Sequence, residues 1–283
     1  RYARRRLKPR NNDGTILPTS GVRGFDSESP HCQVTGSAFV VNMPNAEYQV
    51  FVGWGILGEL GGKLRNLGLS GKVALVVDEG VWAHYGPIAQ ASLEDARFEV
   101  CSLRIPSGER SKSEGSLRRI YDWFVEQHIE RTSTVVALGG GVIGDLAGYA
   151  AATFLRGVPL VHVPTTLLAM TDSAIGGKTA INHPRAKNLI GSFHQPRLVL
   201  TDVRNLSTLA PRELASGWAE TVKHGMIMKP ALLNTLEESI ELVLRLQPDI
   251  TTDIVKQSAG LKGYVVSADE RESGLRTILN FGH

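Results

Sequence analysis

Three short stretches carry side chains that could do chemistry together. The first is "ALGGGVIGD", where Gly139, Gly141 and Gly144 stand at G-x-G-x-x-G spacing. Glycines let a backbone approach a pyrophosphate, and free amides at a helix N-terminus attract anions. Asp145 follows in the same loop; its charge opposes a phosphate, so it is expected to hold a hydroxyl or orient amides. A dinucleotide loop also wants an acidic residue about 20 positions on, and "RGVPLVHVPTT" has none. Asp78, which closes "VALVVD", is the better ribose partner. On its own the loop fits a tight strand-to-helix packing turn as well as a nucleotide site.

The second stretch is "VPTTLLAMTDSAIGGKTAINHPRAKNLIGSFHQP". Thr165 and Thr166 follow a strand end, and Asp172 falls mid-helix. Gly176 and Gly177 lead to Lys178, and Lys187 and Asn188 follow. The segment is too polar for a core helix and too apolar for a solvated loop. Lysines beside a glycine turn suit an anionic ligand, which favours a site over a long surface connection.

The third is "GWAETVKHG". Glu213, Glu220, Lys223 and His224 share a helical face opposite Leu214 and Trp218. Spacing alone favours a solvated stripe. The competing reading is a metal site, because Glu220 and His224 at i, i+4 could touch one cation. His31, His84, His128, His162 and His183 lack a partner pattern and read as structural or exposed.

Elements must position these stretches. From about residue 48, "YQVFVG", "KVALVVD", "FEVCSLRI", "STVVALG", "PLVHVP" and "RLVLTD" read as strands, with amphipathic stretches such as "SKSEGSLRRIYDWFVEQH" between several of them. That alternation predicts βαβ units and a mostly parallel sheet covered on both faces. After Asp202 only helices are predicted, and Leu233, Leu236, Ile240 and Val243 form a core stripe. The expected architecture is an α/β nucleotide-binding domain over 41–205 and an all-α domain over 206–283. Residues 1–40 precede both as a basic, disordered segment.

Composition narrows the function classes. At 283 residues, with 42% hydrophobic and 21% charged side chains, the chain is of soluble globular type. No apolar run is long enough to span a bilayer. Six basic residues fall within 1–10, leaving 25 basic against 28 acidic residues elsewhere, so the body is mildly acidic and carries no nucleic-acid footprint. Cys32 and Cys101 lack metal-type spacing, and a reducing cytoplasm is the expected compartment.

Taken together, "PSGERSKS", "GGGVIGDLAGYAAATFLRG", the Pro164–Pro196 stretch, "RELASGWAETVKHG" and "DERESGLRTILNFGH" resemble the 3-dehydroquinate synthase family of sugar-phosphate cyclases. The segments occur in the family's order over roughly residues 48–283. The resemblance implies a site between a nucleotide-binding α/β domain and a helical domain, with NAD and a divalent metal, zinc or cobalt, as cofactors. It implies conversion of a seven-carbon keto-sugar acid phosphate (DAHP) to 3-dehydroquinate in the shikimate route to aromatic amino acids. NAD would oxidise a ring hydroxyl, phosphate would be eliminated, and NADH would return its hydride before ring opening and an internal aldol step. Homodimers are common in the family.

Carried over by motif, Asp78, Glu109 and Lys112 match nucleotide contacts, as do Gly140, Gly141 and Asp145 of the glycine loop. Thr165, Thr166, Asp172, Lys187, Lys178 and Thr208 complete the implied cofactor set. Arg156, Lys178, Asn188, Lys223, Lys262, Arg276 and Asn280 match positions that hold the substrate's carboxylate, phosphate and hydroxyls. Glu220 and His283 match metal ligands. The family's third metal ligand, a second histidine and a late lysine lie beyond "NFGH". His283 is therefore expected to be a ligand at the end of a truncated chain with an incomplete helical domain, weak cation affinity and little turnover. His224 departs from a tyrosine common in the family. Three alternatives stand beside this reading: a cyclase for another sugar phosphate, a metal-dependent polyol or alcohol dehydrogenase, and a partly folded product that only binds nucleotide.

Overall fold

A computed structural model describes residues 34–35, 38–44 and 46–282. The basic segment, with His31 and Cys32, and the terminal His283 lie outside the described residues. Three strands come first: β1 (Val34–Thr35), β2 (Ala38–Met43) and β3 (Ala46–Gly53). Helix α1 (Leu60–Asn66) leads to β4 (Lys72–Asp78), α2 (Glu79–Asp95) and β5 (Glu99–Ile105). Then come α3 (Glu114–Glu126), β6 (Thr134–Gly139), α4 (Gly141–Thr153) and β7 (Leu160–Pro164). A hairpin, β8 (Lys178–His183) and β9 (Ala186–Phe193), precedes β10 (Leu198–Asp202). Four helices follow: α5 (Pro211–Met228), α6 (Pro230–Glu238), α7 (Ile240–Leu244) and α8 (Pro248–Ala268).

The six strands expected from β-branched runs all form, in one eight-stranded sheet of order β1-β2-β3-β10-β7-β6-β4-β5. β2 pairs antiparallel with both β1 and β3, and every other pairing in this sheet is parallel. β6, β7 and β10 are buried at every residue, as strands covered on both faces must be. The chain steps from β4 to β5 on one side and then to β6 on the other. This order reversal opens a crevice at the carboxyl ends of β4 and β6, where ligands of open α/β sheets bind. The helices begin there with conventional caps: Asp78 accepts from Gly80 N at the start of α2, and Ser113 accepts from Ser116 N at the start of α3.

Several elements differ from the sequence expectation. Strand pairing begins at Val34, inside the segment assigned to the basic N-terminal part. The stretch "KTAINHPRAKNLIGSF" forms the β8–β9 hairpin, whose register shifts between Ile181 and His183. It was not legible as strand because lysine, asparagine and glycine interrupt its apolar pattern. The Leu233–Val243 stripe does not lie on one helix: α6 ends at Glu238 and α7 starts at Ile240. Leu236 and Val243 are buried with Leu232, whereas Ile240 is 49% exposed.

The helical part shares a core with the sheet. Phe39 and Val41 of β2 and Val50 of β3 cluster with Met170 and with Val255, Ala259 and Val266 of α8. Gly263 permits the approach, since a Cβ there would lie 2.9 Å from the Phe39 ring. Among the described residues, no helix is long and apolar enough to cross a membrane.

Gly217 of α5 lies so close to the turn after β7 that a Cβ would stand 2.4 Å from Leu167 Cβ and 2.8 Å from Leu168 N. Gly217→Val should therefore cost about 1–3 kcal/mol, the usual range for overpacking. Urea unfolding of both proteins measures it. An unchanged midpoint would mean that α5 is not docked on the sheet as described.

Candidate active site

The glycine loop ends β6 and starts α4, at the switch point. Gly140 is the extended residue before the helix. Contacts explain the glycines: a Cβ on Gly139 would meet Ile143 at 2.9 Å and Asp78 Cβ at 3.2 Å, and one on Gly140 would meet Thr166 Cγ2 at 2.9 Å. Asp78 and the loop are thus neighbours at the ends of adjacent strands. Asp78 also accepts a hydrogen bond from the Ser107 hydroxyl. Thr165 N donates to Gly139 O, joining β7's end to the loop. Thr165 Oγ1 is buried without a hydrogen-bond partner.

Asp145 does not face a phosphate alone. Lys112 Nζ pairs with its carboxylate and also donates to Asn188 Oδ1 of β9. Burial lifts the Asp145 carboxyl to about 6, against the pull of Lys112. Glu109 accepts from Asn182 Nδ2 at 2.7 Å and lies 3.7 Å from Lys187 Nζ. Asn188 takes a left-handed backbone, φ 57°, which asparagine tolerates better than most residues.

Beyond β7 the chain makes a single π-helical turn, Ala169–Ser173, which carries Asp172. Lys262 of α8 reaches Asp172 Oδ1 at 2.5 Å. Burial would raise the Asp172 carboxyl, but Lys262, with His224 and Lys223 behind it, holds it below its ordinary value. Burial lowers the Lys262 ammonium, with Asp172 opposing. Lys178, at the start of β8, pairs with Glu272. Glu272 also accepts from Asn280 Nδ2 at 2.9 Å. Burial works against the ionised Glu272, yet Lys178 and Asn280 keep its carboxyl below the usual range.

Arg276 is almost fully buried, donating to Gly176 O at 3.3 Å and to Glu270 O at 2.5 Å. Gly176 has φ +104°, and a Cβ there would stand 2.4 Å from Arg276 Nη2, so only glycine suits this position. Gly176 N is itself fixed by the Tyr48 hydroxyl at 3.0 Å. Asp269 shapes the loop that delivers Arg276, accepting from the amides of Ser273, Gly274 and Arg276. These three bonds, led by Ser273 and Arg276, draw the Asp269 carboxyl down to about 2.

One cavity of about 560 Å³ gathers much of this set. Of the residues singled out from sequence, Asp145, Asp172, Lys178, Asn188, Lys223, Lys262, Arg276 and Asn280 line it. Lys112 joins through Asp145 and Asn188. Asp78, Gly140, Gly141, Thr165 and Thr166 border the switch-point crevice instead. Thr208 follows β10 and bonds the Tyr85 hydroxyl at 2.8 Å. Glu109, before α3, and Lys187, on β9, face each other and do not line the cavity. Arg156 does not line this cavity: it is exposed, between α4 and β7, at the opposite end of the strands from the glycine loop. Glu272, which sequence reasoning missed, lines the cavity. Its signal was a carboxylate four residues before Arg276 in a glycine-containing loop.

The solvated-stripe reading of α5 is overturned for three of its four residues. Glu220, Lys223 and His224 are buried, and Glu213 alone is exposed. Helical spacing defines a face but not what covers it; here α8 and the Leu275–Asn280 turn do. Lys223 Nζ donates to Leu279 O at 2.7 Å and lies 2.5 Å from Glu220 Oε1. His162 is likewise buried, and desolvation pushes its imidazole down to about 4. His84 and His128 are exposed, as expected.

Comparison with known proteins decides the family. The 3-dehydroquinate synthase N-terminal profile matches residues 102–216, and the 3-dehydroquinate synthase C-terminal profile matches residues 217–283. The chain belongs to the 3-dehydroquinate synthase family. A 3-dehydroquinate synthase from Nostoc sp. is 49% identical over 249 residues, 87% of this chain and 69% of the relative. A 2-epi-5-epi-valiolone synthase from Streptomyces hygroscopicus, solved with NAD+ and Zn2+, is 29% identical with a TM-score of 0.78 over 86% of this chain and 67% of its own. A 2-deoxy-scyllo-inosose synthase, solved with carbaglucose-6-phosphate, NAD+ and Co2+, is 26% identical with a TM-score of 0.77 over 87% of this chain and 66% of its own.

The side chains suit the groups this family implies. For a dinucleotide, the glycine positions are places that a Cβ would fill, and Thr165 Oγ1 is a buried hydroxyl oxygen awaiting a partner. For a divalent cation, Glu220 supplies a buried carboxylate: burial would raise it, but the close approach of His224 and Lys223 keeps it below its ordinary value. Its Oε1 lacks an aligned hydrogen-bond donor. Among the described residues, no group of three His, Cys, Asp or Glu side chains could hold a metal.

Asp145 carries a pH signature. Its folded pKa of about 6 lies above the ordinary 3.8, so the folded state binds a proton more tightly than the unfolded chain. The resulting stability is present at low pH and lost as pH rises through about 6. Asp145→Asn, which does not titrate, should therefore gain stability relative to wild type between pH 4 and 7. Urea unfolding at both pH values measures the difference, and a constant one would refute the burial argument.

Proposed function

We propose that the chain is a 3-dehydroquinate synthase, converting DAHP to 3-dehydroquinate with loss of phosphate, using NAD and a divalent cation. The observation that carries this reading is the convergence of Lys178, Lys223, Lys262 and Arg276 on one cavity beside the glycine loop. A substrate with a carboxylate and a phosphate needs such a set, because charge-assisted hydrogen bonds to these groups are the strong ones. In this reading residues 41–205 hold the nucleotide, while 206–283 hold the cation and much of the substrate. The enzyme is a carbon–oxygen lyase acting on phosphate.

When bound, NAD supplies a reversible hydride acceptor and the cation a Lewis acid for the oxygen at the oxidised carbon. The chain's own residues bind, orient and move protons. Lys178, which begins the hairpin, and buried Arg276 provide cationic donors in the cavity. Lys262, paired with Asp172, and Lys223, paired with Glu220, provide two more. Asn188 and Asn280 offer neutral amides for hydroxyls. Glu272 is an ionised carboxylate in the cavity and can accept a proton. Asp78, Gly140, Gly141 and Thr165 form the nucleotide side. Glu220, with His283 outside the described residues, provides cation ligands.

The competing cyclase reading has less support, since identity is 49% to the Nostoc synthase against 29% to the valiolone synthase. A simple alcohol dehydrogenase has no use for the cation cluster.

Phosphate release from DAHP, with NAD and Zn2+ or Co2+ added, tests the reading. Release should require both additions and leave no net NADH. Lys178→Gln should lower kcat/KM by roughly 10- to 100-fold, the worth of a hydrogen bond to a charged group. Net NADH from an alcohol, without phosphate release from DAHP, would overturn the proposal.

A further inference from the structure

His224 stands out because its buried imidazole joins two helices yet leaves one nitrogen unsatisfied. The residue is 0% exposed on α5. Its Nδ1 lies 2.8 Å from Ser258 Oγ of α8, which is also fully buried. Its Nε2 lies 3.2 Å from Glu220 Oε1, one turn back on α5. The approach is close but not aligned, so both atoms count as buried polar atoms without a hydrogen-bond partner. A histidine serving only as core filling would have these atoms satisfied elsewhere or replaced by carbon.

We infer that His224 is a positioning residue for Glu220, holding one carboxylate oxygen so that the other is presented to a cation. The inference rests on the metal-dependent reading above. Two bare acceptors do not face each other at 3.2 Å in a dry site without repulsion. The ionised Glu220 therefore selects the tautomer with hydrogen on Nε2. Nδ1 is then the acceptor, and the Ser258 hydroxyl donates to it. The result is a directed chain from Ser258 through His224 to Glu220, in which the Ser258 bond fixes the ring and leaves its Nε2 3.2 Å from Oε1, a short rotation from alignment. Lys223 Nζ approaches the same oxygen at 2.5 Å. Both basic contacts thus converge on Oε1, leaving Oε2 for coordination. Catalytic hydrogen bonds are often long or misaligned before ligands arrive and tighten afterwards. In this tautomer Nε2 bears a proton, so His224 is not itself a ligand.

Calorimetric titration of Co2+ into the full chain and into H224A, H224Q and S258A tests the inference, with NAD affinity measured on the same proteins. H224A should bind Co2+ about 10- to 100-fold more weakly, the usual cost of removing a group that orients a ligand. H224Q keeps an N–H donor and should recover most of the loss, and S258A should fall between. NAD affinity and the visible Co2+ absorption bands should stay as in wild type. Equal Co2+ affinity in H224A would overturn the inference, as would a parallel loss of NAD affinity, which marks a merely structural role. Altered Co2+ bands in H224Q would make His224 a direct ligand and overturn it too. A wild-type chain that binds no Co2+ would instead defeat the metal-dependent reading beneath it.

Discussion

The Lys262–Asp172 ion pair is the constraint around which the cavity is organised. Lys262 comes from the middle of α8 and Asp172 from the π-helical turn after β7, so the pair joins the helical part to the sheet. Both groups are removed from most solvent, where an unpaired charge costs several kcal/mol. Each therefore favours the charged form of the other. The same logic repeats around the cavity: Lys112 with Asp145, Lys178 with Glu272 and Lys223 with Glu220. The lysines that would grip a substrate are each held in place by a carboxylate, from a distant segment for Lys178 and Lys262 and from the adjacent turn of the same helix for Lys223, while Arg276 is held by backbone carbonyls.

This pairing bears on selectivity. An anion entering the cavity must offer the lysines at least what their carboxylates already give. A neutral alcohol offers less and would leave the pairs undisturbed. A molecule with both a carboxylate and a phosphate can engage several cations at once, and each added charge lowers the cost of keeping the cluster together. The arrangement thus favours multiply anionic ligands through charge balance, before any detail of shape is considered.

The sheet was legible because parallel strands buried on both faces must be continuous β-branched runs, and "VVALG" and "LVLTD" are such runs. The hairpin was not, because its outer face is exposed at every residue of β9 and its composition follows the ligand rather than a core. For α5, periodicity correctly grouped Glu220, Lys223 and His224 but could not reveal that α8 covers them. Arg156 shows the other side of this: its position was carried over from a motif, and a left-handed turn after α4 places it at the opposite end of the strands from the glycine loop, outside this cavity. Glu272 escaped notice because a lone carboxylate in a charged loop has no spacing signal; only the fold brings it to Lys178.

Backbone conformation finishes what charge begins. Arg276 can fill a buried position only because Gly176 O accepts from it and Gly176 has no Cβ to block it. Gly176 holds its left-handed conformation because the Tyr48 hydroxyl fixes its amide. Asp269 gathers three amides and so turns the chain back toward the cavity. Each of these residues acts on a neighbour's geometry rather than on a ligand. A rigid first layer of cations therefore depends on a second layer of hydroxyls, amides and glycines, and the distance between two groups such as Lys178 and Arg276 is set by residues that never meet the substrate.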